Sequence, residues 1–100
     1  LVMDSSGIAL DAYAKDGAAF DITTIGIEFS VVVGGIRRAS SMLEAGAAQE
    51  IAVGSEKLVT VIRTLGEQYF LALAMVPEGN IGKGRFNLRL AAPKILAELA

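Results

Sequence analysis

The stretch Asp21 to Ala45 reads DITTIGIEFSVVVGGIRRASSMLEA, and whether it is helix or strand decides the fold. Wound at helical spacing, Ile22, Ile25, Phe29, Val32, Ile36 and Leu43 fall on one side. Ile27, Val31 and Met42 fall roughly opposite, with Gly34 and Gly35 between the two sets. A strand competes for the same residues, because Ile25, Ile27, Phe29, Val31 and Val33 alternate and the three valines run into a glycine pair. The residues after Gly35 favour helix: IRRASSMLEA is rich in helix formers and unbroken up to Gly46, while Asp21 or Thr23 can cap the start. A helix apolar on two sides can pack one of them on its own sheet and needs a second partner for the other. Gly34 and Gly35 each cost about 1 kcal/mol relative to alanine inside a helix, a cost that close approach of another backbone would rationalise.

Size and composition narrow the rest. One hundred residues point to a single domain with one core. Hydrophobic residues make up 53% and charged residues 20%, more apolar than an ordinary small monomer, which again favours a partner surface. The net charge of −2, with no basic block longer than Arg37-Arg38, excludes the broad positive field that nucleic acid requires. Absence of cysteine and histidine removes disulfides, thiolate nucleophiles, imidazole bases and the usual zinc ligands, and is consistent with a reducing, cytoplasmic setting. Glu28, Gly34-Gly35 and Arg37-Arg38 interrupt the longest apolar run well short of a membrane span. Nothing at the start resembles a signal peptide, and because the chain opens at Leu1 inside an apolar run, an upstream segment is expected.

Taken in order, Leu1 to Met3 ends a strand, Asp4-Ser5-Ser6-Gly7 turns with Asp capping and Gly at positive φ, and Ile8 to Tyr13 returns with one well-buried face. Lys15-Asp16-Gly17 leaves the sheet, the long helix comes next, and Gly46 ends it. Glu50 to Ser55 is a short, weakly sided strand suited to a sheet edge. Leu58 to Thr64 is the next strand, and Leu65-Gly66-Glu67 a tight connection. Tyr69 to Val76 is apolar throughout and belongs mid-sheet. PEGNIGKG, residues 77–84, reads as a glycine-rich loop before a C-terminal helix carrying Leu88, Ala91 or Ala92, Ile95 and Leu99. Pro93 should kink that helix or mark its proper start.

Few residues invite chemistry. GNIGKG follows a strand and precedes a helix, as a phosphate loop does, but it has two residues between its first glycine and Gly-Lys where a Walker loop has four, and lacks the Ser or Thr that comes after; a plain turn is the better reading. Arg37-Arg38 could act as an arginine finger or an anchor for an acidic partner. The plainer reading is a solvated patch, with Arg38 the contact residue because it shares a side with Ile27 and Val31. Asp4, Asp11, Asp16 and Asp21 form no evident metal cluster or acid–base pair, and Ser40-Ser41 has no base to activate it. We therefore expect no catalysis and no cofactor.

The assembled order, with VMDSSGIALDA at the first hairpin, the long helix, EIAVGSEKLVTVI, QYFLALAMV and GNIGKGRFNLRLAAPKI, resembles the roadblock/dynein light chain family in its MglB-like branch. Only the DxxG hairpin and the Asn80, Gly82, Arg85 run approach a motif. The resemblance implies an α/β domain of the α+β sandwich type over residues 1–100, with a five-stranded antiparallel sheet, the long helix on one face and a C-terminal helix on the other. The family's first helix would precede Leu1. The resemblance further implies a homodimer in which long helices pack antiparallel and third strands meet edge to edge. Here that maps onto Ile27, Val31, Gly34, Gly35, Arg38 and Met42, and onto Glu50, Ile51, Ala52, Val53 and Gly54. The implied function is non-catalytic regulation of a Ras-like small GTPase, including acceleration of its hydrolysis. Two other readings are a structural adaptor of a larger motor or signalling complex, and a small-ligand sensor using the sheet face left open.

Overall fold

The computed structural model describes residues 1–99. In chain order the elements are β1 (Val2–Asp4), β2 (Ala9–Asp11), α1 (Ile22–Met42), β3 (Glu50–Gly54), β4 (Val59–Leu65), β5 (Tyr69–Met75) and α2 (Ile81–Leu99). The five strands form one antiparallel sheet in the order β2-β1-β5-β4-β3, so the wholly apolar β5 is central and β3 is an edge. Alternation along each strand sends side chains to two separate cores. Phe70 and Ala72 of β5, with Met3, Ile51 and Ile62, meet Val33 of α1, and Phe29 and Ile36 pack beside them. Leu71, Val61 and Leu65 meet Leu88 and Ala92 of α2 on the other face. Full burial of side chains such as Met3, Ile62 and Phe70 contributes roughly 1.5–3 kcal/mol each.

The turns obey their local chemistry. Asp4 Oδ1 accepts from the amides of Ser6 and Ile8 at 2.9 and 3.0 Å, and Gly7 sits at φ +83°, closing the first hairpin as its sequence demands. Asp21 caps α1, its carboxylate accepting from Thr24 Oγ1 at 2.7 Å and the Thr24 amide at 3.4 Å.

Several expectations are corrected. The strand expected over Ile8 to Tyr13 shrinks to Ala9–Asp11 and is exposed throughout, with Ile8 and Leu10 open to solvent, because α2 packs on β4 and β5 and leaves this edge bare. Helix α1 ends before Gly46: Glu44 takes the left-handed conformation at φ 55°, with the Ala45 amide donating to Ser40 O and the Glu44 amide to Ser41 O, a Schellman ending on a residue other than glycine. Leu43 is thus the C-cap, carried past the core and exposed. Val32 is partly exposed, while Val33, one step around the helix, takes the core position expected of it. The loop expected over residues 77–84 is helical from Ile81, because Asn80 Oδ1 accepts the Lys83 amide at 3.0 Å and caps a turn earlier than the glycines suggest. Pro93 neither starts nor stops α2, which runs through it to Leu99.

Candidate interaction surface

Helix α1 is pinned to the sheet by one glycine and one arginine. Gly26 is buried at the crossing with β1: a Cβ there would stand 2.8 Å from Met3 Cε and closer still to Leu1 Cδ2, so only glycine lets the helix come this close. At the other end, Arg37 donates from Nη1 to Gly66 O and from Nη2 to Tyr69 O, both at 2.8 Å, tying α1 to the β4–β5 turn. Partial burial lowers the Arg37 pKa from its ordinary value, opposed by Glu67, but the guanidinium stays charged. Arg37 is therefore no solvated patch and no free finger. Both of its terminal nitrogens donate within the chain.

With that side of α1 fixed, the other points into solvent. Ile27 is 49% exposed, Val31 79% and Met42 80%, and Gly34 and Arg38 are exposed between them. At 100° per residue these positions span about 80° of arc centred opposite Phe29 and Ile36. A Cβ at Gly34 would have nothing within 4 Å, and one at Gly35 only Arg38 Nη2 at 3.9 Å, so this part of the helix surface is flat. The glycines that the core requires are Gly26 and, in α2, Gly84, where a Cβ would lie 2.7 Å from Leu73 Cδ2.

Strand β3 supplies a second feature. It pairs with β4 from Glu50↔Arg63 to Gly54↔Val59 and lies at the sheet edge. Ile51 and Val53 turn their side chains into the core under α1, whereas Ala52 and Gly54 are exposed and small, so the strand offers mainly backbone outward. Glu50 is held by Arg85 of α2, Nε to Oε1 at 3.3 Å with a second, closer contact from Nη2 to Oε2. That hydrogen bond, with the charges of Arg85, Arg63 and Arg89, lowers the Glu50 pKa despite some desolvation. The sequence reading missed the pair, since 35 residues separate its members. Gly26 could have been found from its place on the buried arc.

Among the described residues no three His, Cys, Asp or Glu gather as a metal site, and no helix is long and apolar enough to cross a membrane. Two open grooves are lined, one by Leu65, Gly66, Glu67 and Leu96, the other by Arg37, Ser41, Glu44 and Ala48.

No protein-family model and no curated protein matches the chain. Among solved structures, MglC from Myxococcus xanthus is 41% identical over 97% of this chain and 82% of its own, with a TM-score of 0.66. The chain belongs to the roadblock family, in its MglB-like branch. The fold of this roadblock domain is shared more widely. The gliding protein MglB from Thermus thermophilus matches at a TM-score of 0.82 and 20% identity, over 100% of this chain and 77% of its own. A Roadblock/LC7 domain from Streptomyces avermitilis matches at 0.81 and 13%, over 98% and 81%. The five-stranded antiparallel sheet between two helices is the arrangement they have in common.

Proposed function

We propose that this roadblock domain is a non-catalytic, self-associating regulator that binds a Ras-like small GTPase and modulates its nucleotide cycle. The observation that carries the reading is the outer face of α1. A helix whose solvent side presents Ile27, Val31 and Met42 around an open Gly34 leaves apolar area in water that a second copy would remove. Two α1 helices crossing at Gly34-Gly35 would bring backbones close, and antiparallel pairing of two β3 edges through Glu50 to Gly54 would join the sheets. In that arrangement Ile51 and Val53 act by holding the edge flat from beneath, and Ala52 and Gly54 by keeping it unobstructed. Membership of the MglB-like branch, together with a shared fold with a Thermus thermophilus MglB named as a gliding protein, supports a GTPase system as the partner.

The test is direct. A Ras-like GTPase from the same genome should bind the domain and change its rate of GTP hydrolysis or nucleotide exchange when the domain is added. Binding without a change in either rate would favour a structural adaptor, and no binding would remove the regulator reading.

A further inference from the structure

Helix α2 carries a feature that neither its packing nor the self-association of α1 uses. Gly84, Leu88 and Ala92 face the sheet. Opposite them Phe86, Leu90, Pro93 and Ala97 fall within about 60° of one another and form a strip about 16 Å long on the solvent side. Phe86 is 56% exposed and Leu90 54%, while Leu96, 39% exposed, lies off the strip beside Gly66 of the β4–β5 turn. Lys83 and Lys94 border it on one flank and Arg89 on the other. The helix holds four of the chain's nine cations against Glu98 alone, whereas outside it five cations face ten carboxylates, so α2 is a basic element on an otherwise acidic chain. Arg85 is committed to Glu50; Lys83, Lys94 and Arg89 make no side-chain hydrogen bond or ion pair among the described residues. Pro93 lacks the amide that would reach the Arg89 carbonyl, leaving an acceptor beside the strip.

We propose that this outer face of α2 docks an amphipathic helix of a partner protein whose apolar ridge is flanked by Asp and Glu. Three turns of apolar strip match the i, i+4, i+7 anchors of a helix laid alongside, and the basic flanks set its charge. A lipid surface is a poorer fit, because clusters of four to eight free cations mark anionic-lipid binding and only three remain here. A second copy docking through α1 is also a poorer fit: the outer side of α1 carries Arg38 and has Glu28 as its one nearby carboxylate, so it lacks an acidic border. The strip is short against a standard interface, which makes the contact weak and exchangeable.

The probe is a synthetic acetylated helix of about 18 residues with Leu at i, i+4, i+7 and i+11 and Glu at the flanking positions, added to the ¹⁵N-labelled domain. Amide shifts should concentrate on residues 83–97, the Lys-flanked version of the peptide should bind at least about tenfold more weakly, and Leu90→Asp or Lys83→Glu/Lys94→Glu should each reduce affinity by a similar factor. Because all three substituted positions are exposed, the sheet amides should stay where they are in each variant. Equal binding of both peptides, shifts elsewhere, or no binding at millimolar peptide would overturn the proposal. So would binding to phosphatidylserine vesicles in place of the peptide, or concentration-dependent shifts on α2 without peptide.

Discussion

At the scale of single residues, two side chains hold more than their type suggests. Arg37 reaches two carbonyls of one turn with a planar fork that lysine lacks. Arg37→Ala should therefore lower unfolding free energy by about 1–2 kcal/mol, less than a fully buried charged hydrogen-bond pair would cost because the group is only partly buried. Arg37→Lys should recover little of it, as urea denaturation of the two variants would reveal. Glu44 ends α1 in a left-handed conformation that costs an L-residue roughly 1–2 kcal/mol. Glu44→Gly relieves it at some entropic cost in the unfolded chain, so a net gain of about 0.5–1 kcal/mol is expected, read as a higher denaturation midpoint at unchanged slope. Neither role was visible in the sequence. Adjacent arginines look alike until the β4–β5 turn is placed under one of them, and Gly46 appeared the natural stop because nothing local says that a glutamate two residues earlier will take the strained position.

At the scale of elements, Ile22–Met42 is helical and two-sided, as the run of helix formers after Gly35 favours over the competing alternation of Ile25 to Val33. The hairpins were legible for a similar reason: Asp4 and Gly7 leave one low-energy turn. The face boundaries were less legible. Val32 and Val33 differ by a rotation of 100°, and the crossing at Gly26 decides which one is buried. The start of α2 was hidden because glycines argue for a loop, whereas a cap at Asn80 and close packing of Gly84 on Leu73 make them part of a helix. A matched pair of variants separates the two uses of glycine. Gly26→Ala should destabilise the domain by about 1–3 kcal/mol by forcing Met3 and Leu1 to move. Gly34→Ala, with open space around it, should stabilise an isolated subunit by up to about 1 kcal/mol while weakening self-association. Thermal unfolding and light scattering on the same samples check both signs.

At the scale of the whole molecule, the sheet is covered on both faces at β4 and β5 and left bare toward β2, and the apolar surplus of the composition resolves into definite places. One is the outer side of α1, another the outer side of α2, and a third the exposed Ile8 and Leu10 at the β2 edge. Composition foretold that such surface would exist but could not locate it, since location depends on which strands each helix covers. Self-association requires α1 to be shared between two copies. Multi-angle light scattering across a dilution series should give the mass of two chains at high concentration, falling toward one on dilution, and Val31→Glu should give one chain throughout with its circular dichroism unchanged. A compact single chain at every concentration of the unsubstituted protein would contradict a shared α1, as would a Val31→Glu variant that remains a dimer.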